Sequence, residues 1–192
     1  MRRVILFVDT TLDGFMGGPA GELDWMVQDD EVDKDFTDHL RETVDTILTG
    51  RRTYQSFEAF WPAAAADPSS PADLADFANW MVDTPKVVFS NTLENVGMRN
   101  SRLAAGGIAE EVARLKQEPG KDLVIFGGAS TVQAFVKLGL IDEYRMKVHP
   151  VAIGNGLPVF TDLEGKLNLT LVRSKAYGSG VPGLYYAPDR RP

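Results

Sequence analysis

The residues best suited to chemistry sit just after apolar runs. In DTILTGRRTYQSF, Asp45 to Phe57, the run Ile47-Leu48 ends in Thr49-Gly50, two arginines follow, and a helical pattern begins. A strand that ends in glycine and turns straight into a helix aims free backbone N–H groups and the positive end of the helix dipole at one spot. That spot suits a phosphate. Arg51 and Arg52 add charge in a fork geometry that matches phosphate oxygens better than lysine would, and Thr53 can cap the helix or donate a hydroxyl. On their own the arginines read equally well as a solvated helix start. Cations in a first turn nevertheless oppose the dipole, so a pair of them calls for a compensating anion.

Two further stretches repeat the arrangement. LVIFGGAST, Leu123 to Thr131, ends a buried run in Gly127-Gly128 and enters a helix expected over Ser130–Leu138. Paired glycines at a strand tip allow close backbone approach. The stretch is not the dinucleotide fingerprint, and no P-loop pattern occurs in the chain; a glycine pair before a helix is also common packing. VVFSNTLE, Val87 to Glu94, ends in Ser90, Asn91 and Thr92, which alone read as a polar turn. The argument lies in the set: three strand tips, each followed by anion-friendly groups, where open α/β sheets bind their ligands.

Such tips need a sheet to hold them. Val4–Val8, Thr46–Leu48, Lys86–Phe89 and Leu123–Phe126 are continuous apolar runs, the pattern of strands covered on both faces. Between them Asp35–Arg41, Thr53–Phe60, Ala72–Met81 and Ile108–Lys116 carry helical spacing. After Leu140 the alternation stops: Glu143–Val151, Leu167–Lys175 and Leu184–Ala187 read as strands joined by Gly/Pro loops. The fold class predicted is therefore α/β, a mixed, mostly parallel central sheet flanked by helices, with antiparallel C-terminal strands. Pro62 to Asp73 reads as a surface loop rather than a linker, so one domain spans residues 1–192. Trp61 and Trp80 read as packing beside the second and third helices.

Composition removes several classes. With no cysteine, thiol catalysis, disulfides and cysteine-bound zinc are excluded. The two histidines, His39 and His149, lack spaced carboxylate partners, so no metal site is expected. Twenty-seven acidic against 20 basic residues, net charge -7, argue against a nucleic-acid or anionic-membrane binder. No segment approaches the ~20 apolar residues of a membrane helix, and the N-terminal apolar run is too short for a signal sequence. A soluble cytoplasmic protein acting on a small molecule is expected.

GRRTYQSF, VVFSNTLE, LVIFGGAST and LIDEYRMKVHPVAIGNGLPVF, with TLDGF near the start, resemble the dihydrofolate-reductase-like superfamily, and best the branch of the reductase domain of the bacterial riboflavin-biosynthesis deaminase/reductase. The resemblance runs nearly end to end and in order. It implies an NADPH-dependent reductase, often homodimeric, acting on a pyrimidine-like or pterin-like ring, as 5-amino-6-(5-phosphoribosylamino)uracil reductase or dihydrofolate reductase does. By similarity Gly50, Arg51, Arg52 and Thr53, with Ser90 and Asn91, hold the 2′-phosphate of the cofactor. Gly127, Gly128, Ala129, Ser130 and Thr131 lie by the pyrophosphate and nicotinamide. The resemblance also implies a cis peptide between Gly127 and Gly128.

Reducing a C=N or C=O bond leaves an atom that must gain a proton, which a carboxylic acid with a raised pKa can supply. Folate reductases carry theirs at the start of the first helix, but GELDWMVQDDEVDKDF has no Pro-x-Asp-Leu to mark one. Three acids stand open as the source: Asp9 at the tip of the first strand, Asp13 in TLDGF, and Asp24 beside Trp25, a ring that could wall a pocket or belong to the core. The zinc-binding deaminase partner is absent from this cysteine-free chain. The rival readings are a nucleotide-binding protein that keeps the fold without catalysis, and a structural dimer module with an empty cleft.

Overall fold

The structure, a computed structural model, describes residues 1–189, which form eight strands and five helices. They pack as two compact units. The first comprises residues 1–2 and 34–128, and the second runs from Arg3 to Asp33 and from Ala129 onward.

In the first unit β2 (Val44–Gly50), β3 (Lys86–Phe89), β4 (Ser101–Leu103) and β5 (Asp122–Ile125) are all parallel, in the order β4-β3-β2-β5. Ile47, Leu48, Val88, Leu123, Val124 and Ile125 are completely buried. Residues of this size each contribute about 1.5–3 kcal/mol when taken from water, which is why the runs carry no polar alternation. The helices are α2 (Arg51–Ala66), α3 (Ala72–Asp83), α4 (Ile108–Gln117) and the part of α1 (Asp30–Thr43) from Lys34 on. Trp61 meets Phe77 edge-on at 5.3 Å and Phe77 stacks on Trp80 at 5.5 Å, joining α2 to α3. Buried Tyr54 donates to Glu58 Oε1 (3.2 Å) and accepts from the Met98 amide (2.9 Å).

In the second unit β1 (Val4–Thr11) runs parallel to β6 (Glu143–His149), and β8 (Pro182–Pro188) runs antiparallel to both β6 and β7 (Leu169–Ala176). Helix α5 (Ala129–Lys137) supplies buried Val132, Phe135 and Val136. The strand pairings within the two units are those of the predicted mixed, mostly parallel sheet with antiparallel C-terminal strands.

Four local expectations need correction. Helix α2 does not stop before Pro62 but continues through it to Ala66, because Pro62 forfeits one bond while the alanines that follow favour helix. The short strand β4 carried no readable apolar run. Strand β6 ends at His149 rather than Val151, since Pro150 has no N–H to extend the ladder. The Gly127-Gly128 peptide is trans; no cis peptide occurs among the described residues. Nor, among those residues, is any helix long and apolar enough to cross a membrane.

Candidate functional site

Parallel pairing carries the ends of β2, β3 and β5 to one edge of the first unit. Gly50 lies opposite Phe89 and Leu48 opposite Ile125, and the Phe126 amide donates to the Leu48 carbonyl at 3.0 Å. Ser90, Gly50 and Gly127 therefore follow one another along a single carboxyl edge. Gly50 is the N-cap of α2 in extended conformation (φ -91, ψ 166), and no side chain caps the first turn. That turn holds no acid. Its amide donors and positive dipole end are left uncompensated, beside exposed Arg51 and Arg52.

The turn after β5 adjoins the start of α2: a Cβ built on Gly128 would lie in ordinary contact, 3.6 Å, with the Thr53 hydroxyl oxygen. The Ser90 hydroxyl accepts from the Thr92 (3.2 Å) and Leu93 (2.9 Å) amides, which fixes the turn after β3 and leaves its own O–H to donate. Asn91 beside it is exposed. Ala129, Ser130 and Thr131 open α5 in the second unit, again with no acid in the first turn. A ligand with several anionic oxygens fits the first-unit edge on this donor set.

The second unit gathers a charged cluster that the sequence reading did not foresee. Alternation places Phe7 and Asp9 of β1 on the same face as Glu143, Arg145, Lys147 and His149 of β6, with Asp9 directly opposite Lys147. Lys147 Nζ donates to Asp9 Oδ1 at 2.9 Å and to Asp33 Oδ1 at 2.8 Å, and lies 5.3 Å from the centre of the Phe7 ring. His149 Nε2 is 2.9 Å from Asp9 Oδ1, and its Nδ1 accepts from the Val27 amide at 2.9 Å. Because Nδ1 accepts, the proton of the neutral ring sits on Nε2 and points at Asp9. Trp25, half-buried, meets the His149 ring edge-on at 5.3 Å. The signal was in EYRMKVH: a charged residue or histidine at every second position of a strand whose intervening residues, Tyr144, Met146 and Val148, are largely apolar.

The three candidate acids fare differently. Burial pushes the Asp9 carboxyl up, but the His149 hydrogen bond and the Lys147 charge outweigh it and hold Asp9 below its usual value. Lys147 is likewise held charged: burial lowers it, and Asp9 with Asp33 more than restores it. Asp13 is lowered by the Thr11 hydroxyl (2.6 Å) and by the amides of Gly154 (2.8 Å) and Ile153 (3.3 Å). It ties two loops together. Both carboxyls are thus held toward the charged form, Asp9 by its β6 partners and Asp13 by its own loops. Asp24 is exposed.

Comparison with known proteins agrees with this fold. The model of the RibD C-terminal domain matches residues 2–182. The uncharacterized Bacillus subtilis (strain 168) protein YyaP is 38% identical over 185 residues, covering 96% of this chain and 94% of its own. A Shewanella sp. PV-4 protein ascribed to riboflavin biosynthesis superposes with a TM-score of 0.75 at 28% identity, over 99% of this chain and 100% of its own. The dihydrofolate reductase of Enterococcus faecalis, solved with NADP(H), shares the fold with a TM-score of 0.62 at 13% identity, over 97% and 96% of the two chains.

Proposed function

Given that the chain belongs to the RibD C-terminal domain family, we propose that it is an NADPH-dependent reductase of a C=N or C=O bond in a small heterocycle. The carrying observation is the carboxyl edge of the first unit, with its uncapped, acid-free α2 start flanked by two arginines. The bound cofactor would supply hydride. Arg51, Arg52 and Thr53 would hold its 2′-phosphate together with Ser90 and Asn91, while the side-chain-free Gly127-Gly128 turn of the same unit would admit its pyrophosphate.

Charge-assisted hydrogen bonds to one phosphate lead to an asymmetric expectation. Replacing Arg51 and Arg52 together by Ala weakens NADPH by about tenfold or more and leaves NADH nearly unchanged. Titration of both nucleotides, followed by tryptophan fluorescence, checks this. Equal weakening would mean that the arginines do not meet the 2′-phosphate.

The second reading, a nucleotide-binding protein without turnover, draws on Asp9 and Asp13 being held as carboxylates. A panel of cyclic imines and ketones separates the two: NADPH consumption with any of them supports the reductase, and tight cofactor binding with none supports the rival.

A further inference from the structure

We infer that the first unit carries a second ligand site, a cavity at the amino ends of β2, β3 and β4 that takes the carboxylate of a small apolar acid. It lies at the opposite end of these strands from Gly50 and Ser90, and it does not rest on the reductase reading.

The cavity has a volume of about 550 Å³, the size of a small-molecule site. Strand alternation decides what faces it. Thr46 shares a side of the sheet with Leu48, and the pairing sets Leu48, Val87 and Arg102 abreast on that side. Helix α4 covers the same side, because Arg102 and Arg114 both reach Glu111. Exposed Pro85 and Pro119, with Val87 and Leu115 behind them, give the cavity apolar walls. Thr46 and Gly50 are four strand steps apart, about 13 Å, so a ligand here is separate from one at the start of α2.

Arg2 supplies the polar end. Its side chain is 5% exposed. Nε donates to the Lys121 carbonyl (2.6 Å), and Nη2 donates to Asp45 and to the Thr46 hydroxyl (2.7 Å). Nη1 makes no hydrogen bond among the described residues; Glu118 Oε2, 4.0 Å away, is out of reach. Nor is Nη1 sealed off, since the closed-in side-chain nitrogens without a partner are Trp61 Nε1 and Arg145 Nη1. A covered guanidinium therefore keeps two N–H groups open to the cavity. Its aim is fixed. The Asp45 carboxylate that holds it also accepts from the Lys121 amide (2.7 Å), and a Cβ on Gly120 would meet that carboxylate at 2.5 Å.

Charge selects the acceptor. Arg2, Lys86, Arg102 and Arg114 line the cavity against Asp45 and Glu118, and Glu111, buried behind it, offsets one more cation. One positive charge is left over, in a chain whose net charge is -7. A carboxylate brings one negative charge and two acceptor oxygens, and a charge-assisted bond to Nη1 is worth more than a neutral one.

The test uses the full chain at pH 7 with two probes of similar size, benzoate and uncharged benzamide. Amide NMR shifts of Lys121 and Glu118 report on the cavity, and those of Arg52 and Thr53 on the start of α2. Benzoate is expected to shift the first pair and to bind about tenfold or more tightly than benzamide. Glu118→Gln removes the negative charge beside Nη1 on a side chain that is 43% exposed. It should tighten benzoate by about threefold or more and leave benzamide unchanged. Arg2→Lys keeps the charge but cannot hold Asp45, Thr46 and Lys121 and still reach the ligand, so it should abolish the preference. Shifts confined to Arg52 and Thr53 would overturn the site, as would equal binding of the two probes. Benzoate binding that Glu118→Gln leaves unchanged or weakens would overturn it as well, whether or not the Arg2 variant folds.

Discussion

At the scale of single residues, His149 shows how a neutral side chain can organise a charged neighbourhood. Its Nδ1 receives the Val27 amide and its Nε2 serves Asp9, so one ring joins the loop before α1 to the end of β1. His149→Phe would keep an aromatic ring against Trp25 but leave the Val27 N–H without its acceptor. The cost expected is about 1–3 kcal/mol, read from urea denaturation, with faster hydrogen exchange at Val27. If neither changes, the contact is not holding the loop. Arg51 and Arg52 were legible in the sequence because two cations in a helix's first turn are a local anomaly. Lys147 was not, because its meaning comes from Asp9 and Asp33, 138 and 114 positions away in the chain.

At the scale of elements, the parallel strands were readable from continuous apolar runs, since both faces of β2 and β5 are covered. What escaped was whatever depends on a partner. The three residues of β4 are strand only through their pairing with β3. The segment GNGLP looks like an ordinary loop, yet Leu157 donates to the Gly17 carbonyl and Met16 donates to Leu157, both at 2.8 Å. A Cβ added at Gly156 would run into that same Gly17 oxygen. Gly156→Ala should therefore separate the two loops and cost about 1–3 kcal/mol. A calorimetric scan checks this, and an unchanged transition would show that the loops yield freely.

At the scale of the whole molecule, one buried cation leaves a mark on stability. Lys86 donates to the carbonyls of Val82 (3.1 Å) and Thr84 (2.6 Å) at the end of α3, yet burial lowers its pKa from 10.5 to about 8. Between those values the unfolded chain binds the extra proton and the folded one does not, so stability rises with pH across about 8 to 10.5. The slope is at most ~1.4 kcal/mol per pH unit. Urea midpoints measured across this range should climb in the wild type and stay flatter in Lys86→Met; parallel curves would refute the assignment. Asp9 acts at the other extreme. Its folded value lies below the usual 3.8, so its contribution is complete above that pH and fades as acid carries the protein through the lower value. Neither effect could be anticipated from the acidic composition, because both depend on which charges folding covers.

The uncapped start of α2 also bears on how the protein is handled. Amides with no internal acceptor, next to two guanidinium groups, do not distinguish a nucleotide's phosphate from any other tetrahedral oxyanion. Buffers of phosphate or sulfate would therefore compete at this spot and make the proposed cofactor look like a poor ligand. Solutions of bulky monovalent anions are the ones in which its true strength would emerge.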